Sequence, residues 1–279
     1  MTPQGSERDS ALEQSLYSLL SESQYLGSRI MWFKSLKSTN SLAKDLLKDS
    51  LVPDGMIIGA RKQTDGRGMY KRRWYSPEGG VWITYILHTG YSPKKPGMLS
   101  LAAAVACAET MRAYVPDISI KWVNDILAWE KKIGGILIEQ SSEYSIVGIG
   151  LNTNVPSLDM SLDDKNSLPP VRHLNLKDIA TSTYIKLGHE IDNIRIIAEL
   201  TNNFDMEYHH ICTGKYGEIV DAYRQYCTSF GRDVEVYQRN EKMFSARAIG
   251  IDSEGFLDVE KKSGEKAKLV SEEIFYEHH

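Results

Sequence analysis

The chain of 279 residues is short of cysteine, of long apolar runs and of net positive charge, and each shortage removes a class of function. Three cysteines, Cys107, Cys212 and Cys227, are too few and too scattered for a disulfide scaffold or a zinc site. Free thiols in a reducing, cytoplasmic setting are therefore expected. No stretch approaches the roughly eighteen consecutive apolar residues of a membrane span, and the first residues lack the basic, apolar and small-residue succession of a secretory signal. No membrane partner is expected. The formal net charge of -4 argues against general nucleic-acid binding, which draws on an excess of Lys and Arg, so no DNA partner is expected either.

What is present suits an α+β protein of one large and one small domain. Residues 1–29 read as a polar extension carrying a short helix, with Leu12, Leu16, Leu19 and Leu20 on one face. Residues 30–228 alternate strand-like and helix-like runs. Ile30–Phe33 and Met56–Ala60 are short apolar strands, and Ser38-Thr39-Asn40 is an N-cap region before the periodic SLAKDLLKD. VWITYIL alternates Val81, Ile83 and Tyr85 against Trp82, Thr84 and Ile86, the pattern of a strand with one buried face. LSLAAAVACAETMRAY is an apolar, Ala-rich helix. SIKW, ILAWEKKIGGILIEQ and SIVGIGLNTN are three further strand-like runs separated by Asn-Asp, Glu-Lys-Lys and Ser-Ser-Glu turns, followed by the polar excursion SLDMSLDDKNSLPP and helical patterns over 193–208 and 216–226. Residues 229–279 change texture to short strands with turns at Arg239-Asn240, Ser253-Glu254-Gly255 and Ser263-Gly264, as in a small β-barrel.

The chemistry concentrates in TDGRGMYKRRWYSPEGG, where Arg67, Lys71, Arg72 and Arg73 fall within seven residues. Gly66 and Gly68 are expected to take positive φ and let backbone N–H groups approach an anion. A solvated surface loop would explain the charge equally well, but Trp74 sets an aromatic platform beside it. Asp125, in KWVND, suits a hard cation or a nucleotide, or else a simple Asx-turn. Lys132 leads into an apolar strand whose Gly134 and Gly135 permit close approach of a ligand, or else it is a hairpin lysine.

Taken in order, STN, QTDGRG with RRWYSPEGG, KWVNDI, KKIGGILIE and GIGLNTNV resemble the catalytic domain of the biotin protein ligases, and the likeness runs from Trp32 to Ile274. The resemblance implies a biotin-lipoyl ligase fold, like that of class II aminoacyl-tRNA synthetases, built on a mixed β-sheet with helices and followed by a C-terminal SH3-like β-barrel. It implies that biotin and MgATP give biotinyl-5'-AMP, and that biotin then passes to a lysine of a biotin carboxyl carrier protein domain. By motif position it assigns biotin to Ser38, Thr39, Asn40, Gln63, Gly66, Arg67, Gly68, Lys132, Gly134 and Gly135. ATP and the adenylate fall to Arg67, Arg72, Trp74, Asn124, Asp125, Lys132 and Asn152, with Mg2+ on Asp125 and catalysis on Lys132 and Arg67.

Departures from the pattern are Met69, where an arginine usually follows GRG, and Val123, where KWPND has proline. A lipoate or octanoate ligase shares the chemistry, but its Gly-rich acyl-binding motif is not seen. A biotin-sensing repressor would need an N-terminal DNA-binding unit, and fewer than thirty residues precede the first strand. A catalytically silent binding module would lack biotin-stimulated exchange. A homodimer stays open: the strands near SIVGIG and the Trp82 face could pair across a two-fold axis, yet they would read the same in a monomer.

Overall fold

In the computed structural model, which describes residues 7–20, 23–49, 52–88, 97–141, 143–160, 174–238, 241–270 and 272–276, the short apolar runs assemble into one mixed sheet. Its strands are β1 (Ile30–Phe33), β2 (Met56–Ala60), β3 (Val81–His88), β4 (Ile118–Lys121), β5 (Asp125–Ala128), β6 (Lys131–Ser141) and β7 (Tyr144–Leu151). The order is β1-β2-β3-β7-β6-β5-β4, with β1 and β2 parallel and every other pair antiparallel. The helices are α1 (Ser10–Leu19), α2 (Thr39–Asp49), α3 (Gly97–Met111), α4 (Leu176–Ile179), α5 (Thr183–Leu187), α6 (Asn193–Cys212) and α7 (Tyr216–Tyr226). None of them is long and apolar enough to cross a membrane among the described residues.

The Ala-rich α3 is buried almost all round, because it lies between the sheet and the helices α6 and α7. The opposite face of the sheet receives α2 through Leu42 and Ala43, which pack on Met31, Phe33, Ile58 and Ile86. Strand β3 therefore has two buried faces, not one: Val81, Ile83 and Tyr85 enter the α3 core, while Trp82 and Ile86 enter clusters on the other side. Both β3 and β7 also have strand neighbours on each edge, so neither can pair across a two-fold axis in the expected way. The outer strands of the sheet are β1 and β4, and isolated bridges from Arg8 to Phe33 and from Cys227 to Ile120 cover part of their outer edges.

Other expectations shift for identifiable reasons. The turn expected at Glu130-Lys131-Lys132 falls at Trp129 and Glu130, whose φ of 51° and 62° turn the chain back between β5 and β6. On α1 the buried positions are Glu13 and Leu16, and Leu19 is exposed. Glu13 tolerates burial because Arg8 grips its carboxylate and the Trp32 N–H donates to it at 2.7 Å. The polar excursion lies largely outside the described residues, as do the turn at Arg239-Asn240 and the Lys71 side chain.

The C-terminal segment forms a second, wholly antiparallel sheet of β8 (Asp233–Gln238), β9 (Glu241–Ile251), β10 (Leu257–Lys261), β11 (Lys266–Leu269) and β12 (Glu273–Tyr276), in the order β11-β10-β9-β8-β12. Gly255 and Gly264, at φ of +84° and +85°, make the two expected turns.

Candidate active site

The face of the sheet beside α2, the cationic loop and the edge strand β12 enclose a cavity of about 1480 Å³. Every residue assigned to the site from sequence lines it except Gly66 and Gly134. Gly134 alternates with Gly135 along β6 and faces away, where a Cβ would come within 2.5 Å of Leu151. Gly135 faces inward, under Lys132 and Trp74. Gly66 is needed for close approach: a Cβ there would lie 2.4 Å from the Trp74 carbonyl oxygen and 2.5 Å from Ser76 Oγ.

One wall is polar and internally connected. The N-terminus of α2 presents Ser38, Thr39 and Asn40, all buried, with the Thr39 N–H donating to Gln63 Oε1 at 2.9 Å. Gln63 Nε2 donates to Ser76 Oγ at 2.9 Å. The Thr84 hydroxyl lies 2.7 Å from both Thr39 Oγ1 and Asn40 Oδ1; the amide oxygen can only accept, so the Thr84 proton goes there. Asn40 Nδ2 then donates to Glu139 Oε2 at 3.0 Å. Residues far apart in sequence thus form one hydrogen-bonded chain, from Ser76 through Gln63, Thr39, Thr84 and Asn40 to Glu139. Thr84 and Glu139 were missed from sequence because a strand threonine and a strand-end glutamate carry no spacing signal of their own.

The cationic loop is a small hairpin. Gly68 N–H donates to Arg72 O at 2.8 Å, and Trp74 N–H to Gly66 O at 2.8 Å. Neither glycine takes positive φ, contrary to expectation; the left-handed residue at the tip is Tyr70, at φ 54°. Arg67 points back to Glu139 at 3.1 Å, and Arg72 pairs with Glu273 of β12. Met69 Sδ lies 3.1 Å from Asn124 Nδ2, which also donates to Ile136 O at 2.6 Å. The loop is therefore tied to three walls of the cavity.

The opposite wall concentrates charge. Lys132 Nζ lies 2.5 Å from Asp125 Oδ1 and 5.1 Å from the centre of the Trp74 ring. Lys121 approaches the other oxygen of Asp125 at 3.5 Å and sits 4.8 Å from the Phe275 ring centre. Burial alone would raise the Asp125 pKa, but the charges of Lys132 and Lys121 and the hydrogen bond from Lys132 outweigh it and hold the carboxyl below its usual range. Burial lowers the Lys121 pKa, and the charge of Lys132 adds to that against the pull of Asp125 and Glu273. Two ammonium groups on one carboxylate leave a local surplus of positive charge facing the cavity. Asn152, buried, spans from β7 to the Thr181 carbonyl at 3.2 Å and closes the floor. Lys121 ends β4, in the charged set KWVND that the sequence points to, whereas Glu273 and Phe275 carry no such signal, because β12 reaches the site only through the packing of the second sheet.

Asp125 would hold a magnesium ion only together with ligands from outside the protein, such as phosphate oxygens. Both its oxygens face lysines, and among the described residues no group of three or more His, Cys, Asp or Glu side chains is gathered to hold a metal.

Comparison with known proteins agrees with this arrangement. The biotin/lipoate A/B protein ligase family matches residues 32–154. The bifunctional ligase/repressor BirA of Bacillus subtilis is 34% identical over 260 residues, which span 91% of this chain and 75% of the relative. The biotin–[acetyl-CoA-carboxylase] ligase of Mycobacterium tuberculosis is 33% identical over 108 residues, 36% of this chain and 40% of that one. The structure of the biotin protein ligase from Aquifex aeolicus in complex with biotin and ATP matches with a TM-score of 0.73 at 23% identity, over 90% of this chain and 100% of that chain, a likeness of fold. The chain belongs to the biotin/lipoate A/B protein ligase family.

Proposed function

We propose that the protein is an ATP-dependent ligase that activates biotin as biotinyl-5'-AMP and transfers the biotinyl group to a lysine of a biotin carboxyl carrier domain. The observation that carries this reading is the convergence, in one cavity, of a polar wall with a surplus of cations facing it. The relatives named as biotin ligases support it.

The polar wall favours biotin over lipoate, the other substrate in the family's name. A ureido ring offers two N–H donors and a carbonyl, and it needs partners when it leaves water. Gln63 Nε2 has a second proton beyond the one given to Ser76, and the Ser38 and Thr39 hydroxyls keep acceptor capacity. A dithiolane would leave such a wall unsatisfied.

In the first step the biotin carboxylate attacks the α-phosphorus of ATP, and pyrophosphate departs. Two anions are brought together, and Arg67 and Lys132 offset their repulsion inside a partly enclosed site, where such charges act strongly. Lys132 suits the junction as a compact charge on a flexible stem, able to follow negative charge from acid to mixed anhydride. Trp74 offers its ring to the adenine, Asn124 and Asn152 offer amides to the nucleotide, and Arg72 and Lys121 face the departing pyrophosphate. Magnesium enters with ATP as part of the substrate. In the second step an acceptor lysine attacks the acyl carbon and AMP leaves.

The same reading takes residues 30–228 as the catalytic domain and 229–279 as a small SH3-like barrel. In support, β9 pairs with both β8 and β10 through register shifts, the device by which a short antiparallel sheet bends toward closure. It also places the protein in the cytoplasm, where its free cysteines stay reduced. Exchange of labelled pyrophosphate into ATP tests the first step: stimulation by biotin and not by lipoate is expected, and stimulation by lipoate alone would overturn the reading. A gel-shift experiment on upstream DNA of biotin-synthesis genes tests the repressor role in the Bacillus relative's name, and no shift is expected.

A further inference from the structure

Glu139 ends the lysine-led motif KKIGGILIE, and the reaction proposed above gives it no task. Its side chain is 20% exposed and receives donors from two other parts of the fold. From α2 come Asn40 Nδ2 at 3.0 Å and Lys44 Nζ at 2.6 Å; from the cationic loop comes Arg67 Nη2 at 3.1 Å. Burial works against its ionised form, and the hydrogen bonds from Lys44 and Asn40, with the charge of Arg67, outweigh that effect.

Arg67 supplies the second half of the argument. A guanidinium carries five N–H donors in one rigid plane. Glu139 engages the Nη2 corner, whereas Nε is buried with no partner among the described residues. The buried Nε shows that the guanidinium is packed on one side, while the rest of Arg67 lines the cavity, where an anion would arrive. A planar fork held at one corner keeps its other donors at a fixed angle. Without that anchor the side chain would sample many rotamers, and the ordering entropy would be lost on binding.

We propose that Glu139 is the positioning residue of Arg67: it fixes one corner of the guanidinium so that the donors the arginine presents to the cavity are preset for the substrate anion, and through Asn40 it ties this anchor to the polar wall. The proposal rests on the ligase reading for its kinetic test but not for its spectroscopic one. Alternatively, Glu139 would serve only to pin α2 to β6 through Lys44, and the two roles separate experimentally.

The test uses the full chain and the variants Glu139→Gln, Glu139→Asp, Arg67→Ala and Arg67→Ala/Glu139→Gln, each checked by thermal melt. In biotin-dependent pyrophosphate exchange, Glu139→Gln is expected to lower kcat/KM roughly ten- to a hundredfold, the range for losing one charged hydrogen bond. Glu139→Asp should recover part of that loss. The double variant should be no slower than Arg67→Ala alone, because the glutamate acts through the arginine. Side-chain nitrogen NMR should show a sharp, slowly rotating Arg67 Nε–H in the parent and an averaged one in Glu139→Gln. Losses that multiply in the double variant, or an Arg67 signal indifferent to Glu139, would overturn the proposal. A parent protein with no biotin-stimulated exchange defeats the ligase reading instead, and the NMR comparison still decides the positioning role.

Discussion

Removing Lys132 is expected to damage stability and chemistry together, and a second substitution should separate them. Lys132 Nζ sits 2.5 Å from an Asp125 oxygen, and their side chains are 30% and 18% exposed. Breaking a fully buried pair costs about 3–5 kcal/mol, because the remaining charge is left without its partner. Lys132 keeps some contact with water and Lys121 stays 3.5 Å from the other oxygen, so Lys132→Met should cost about 2 kcal/mol, or roughly 5 °C in melting temperature. The pH dependence follows from sign. In the parent, the Asp125 pKa lies below its ordinary 3.8, so its contribution is present above that value and lost as pH falls through the lowered one. Without Lys132, burial pushes the carboxyl up, so the deficit is largest near neutrality and shrinks toward about pH 4. Lys132→Met/Asp125→Asn should regain most of the stability. Exchange should stay at least about a hundredfold down in both variants, the usual scale for losing one charge-stabilising group. Melts at several pH values, run beside pyrophosphate exchange, read both quantities. A double variant that regains exchange would refute the chemical role of Lys132, and a pH-independent deficit would refute the account of the pair.

Three further outcomes are expected. Burial, with repulsion from Glu109 and Glu218, raises the Glu207 pKa from 4.5 to about 7. The stability this group contributes is full below pH 4.5 and is lost as pH rises through about 7, so Glu207→Gln should flatten that window and gain roughly 2 kcal/mol at pH 8; identical parent and variant pH profiles would count against it. Gly66→Ala puts a Cβ 2.4 Å from a backbone oxygen, so the loop must shift, and exchange should fall about tenfold or more with only a small change in melting temperature; unchanged kinetics would show that the loop accommodates a methyl group. Met69→Arg should slow release of preloaded biotinyl-adenylate roughly ten- to a hundredfold while leaving exchange nearly unchanged, since one charged hydrogen bond is worth about 1.5–3 kcal/mol; an unchanged release rate in a chase with unlabelled biotin would mean that Arg72 or Arg73 already makes that contact.

The strands and long helices were legible because their signals are local: β-branched alternation, Ala-rich periodicity and the Ser38 cap each act within a few residues. What misled was sidedness. Strand β3 alternates as a half-exposed strand would, yet α2 and α3 cover both of its faces, and nothing within eight residues reports a helix arriving from elsewhere. The site was legible as a set of residue types in order, and all but two of the named residues line one cavity. The two exceptions are glycines crowded behind the wall, Gly66 first by the Trp74 carbonyl oxygen and Gly134 first by the Leu151 side chain. The connections were not legible: Arg72 to Glu273 spans 201 residues and Arg67 to Glu139 spans 72, and charge composition alone does not choose partners at such separations.

Acyl transfer itself tests the central claim most directly. The parent protein, incubated with ATP, Mg2+, biotin and a biotin carboxyl carrier domain, should add the mass of one biotinyl group to that domain. The addition should depend on ATP and disappear when the acceptor lysine is replaced. A lipoyl or octanoyl adduct formed in preference to biotin when all three acids are offered, or a carrier left unmodified with ATP present, would contradict it.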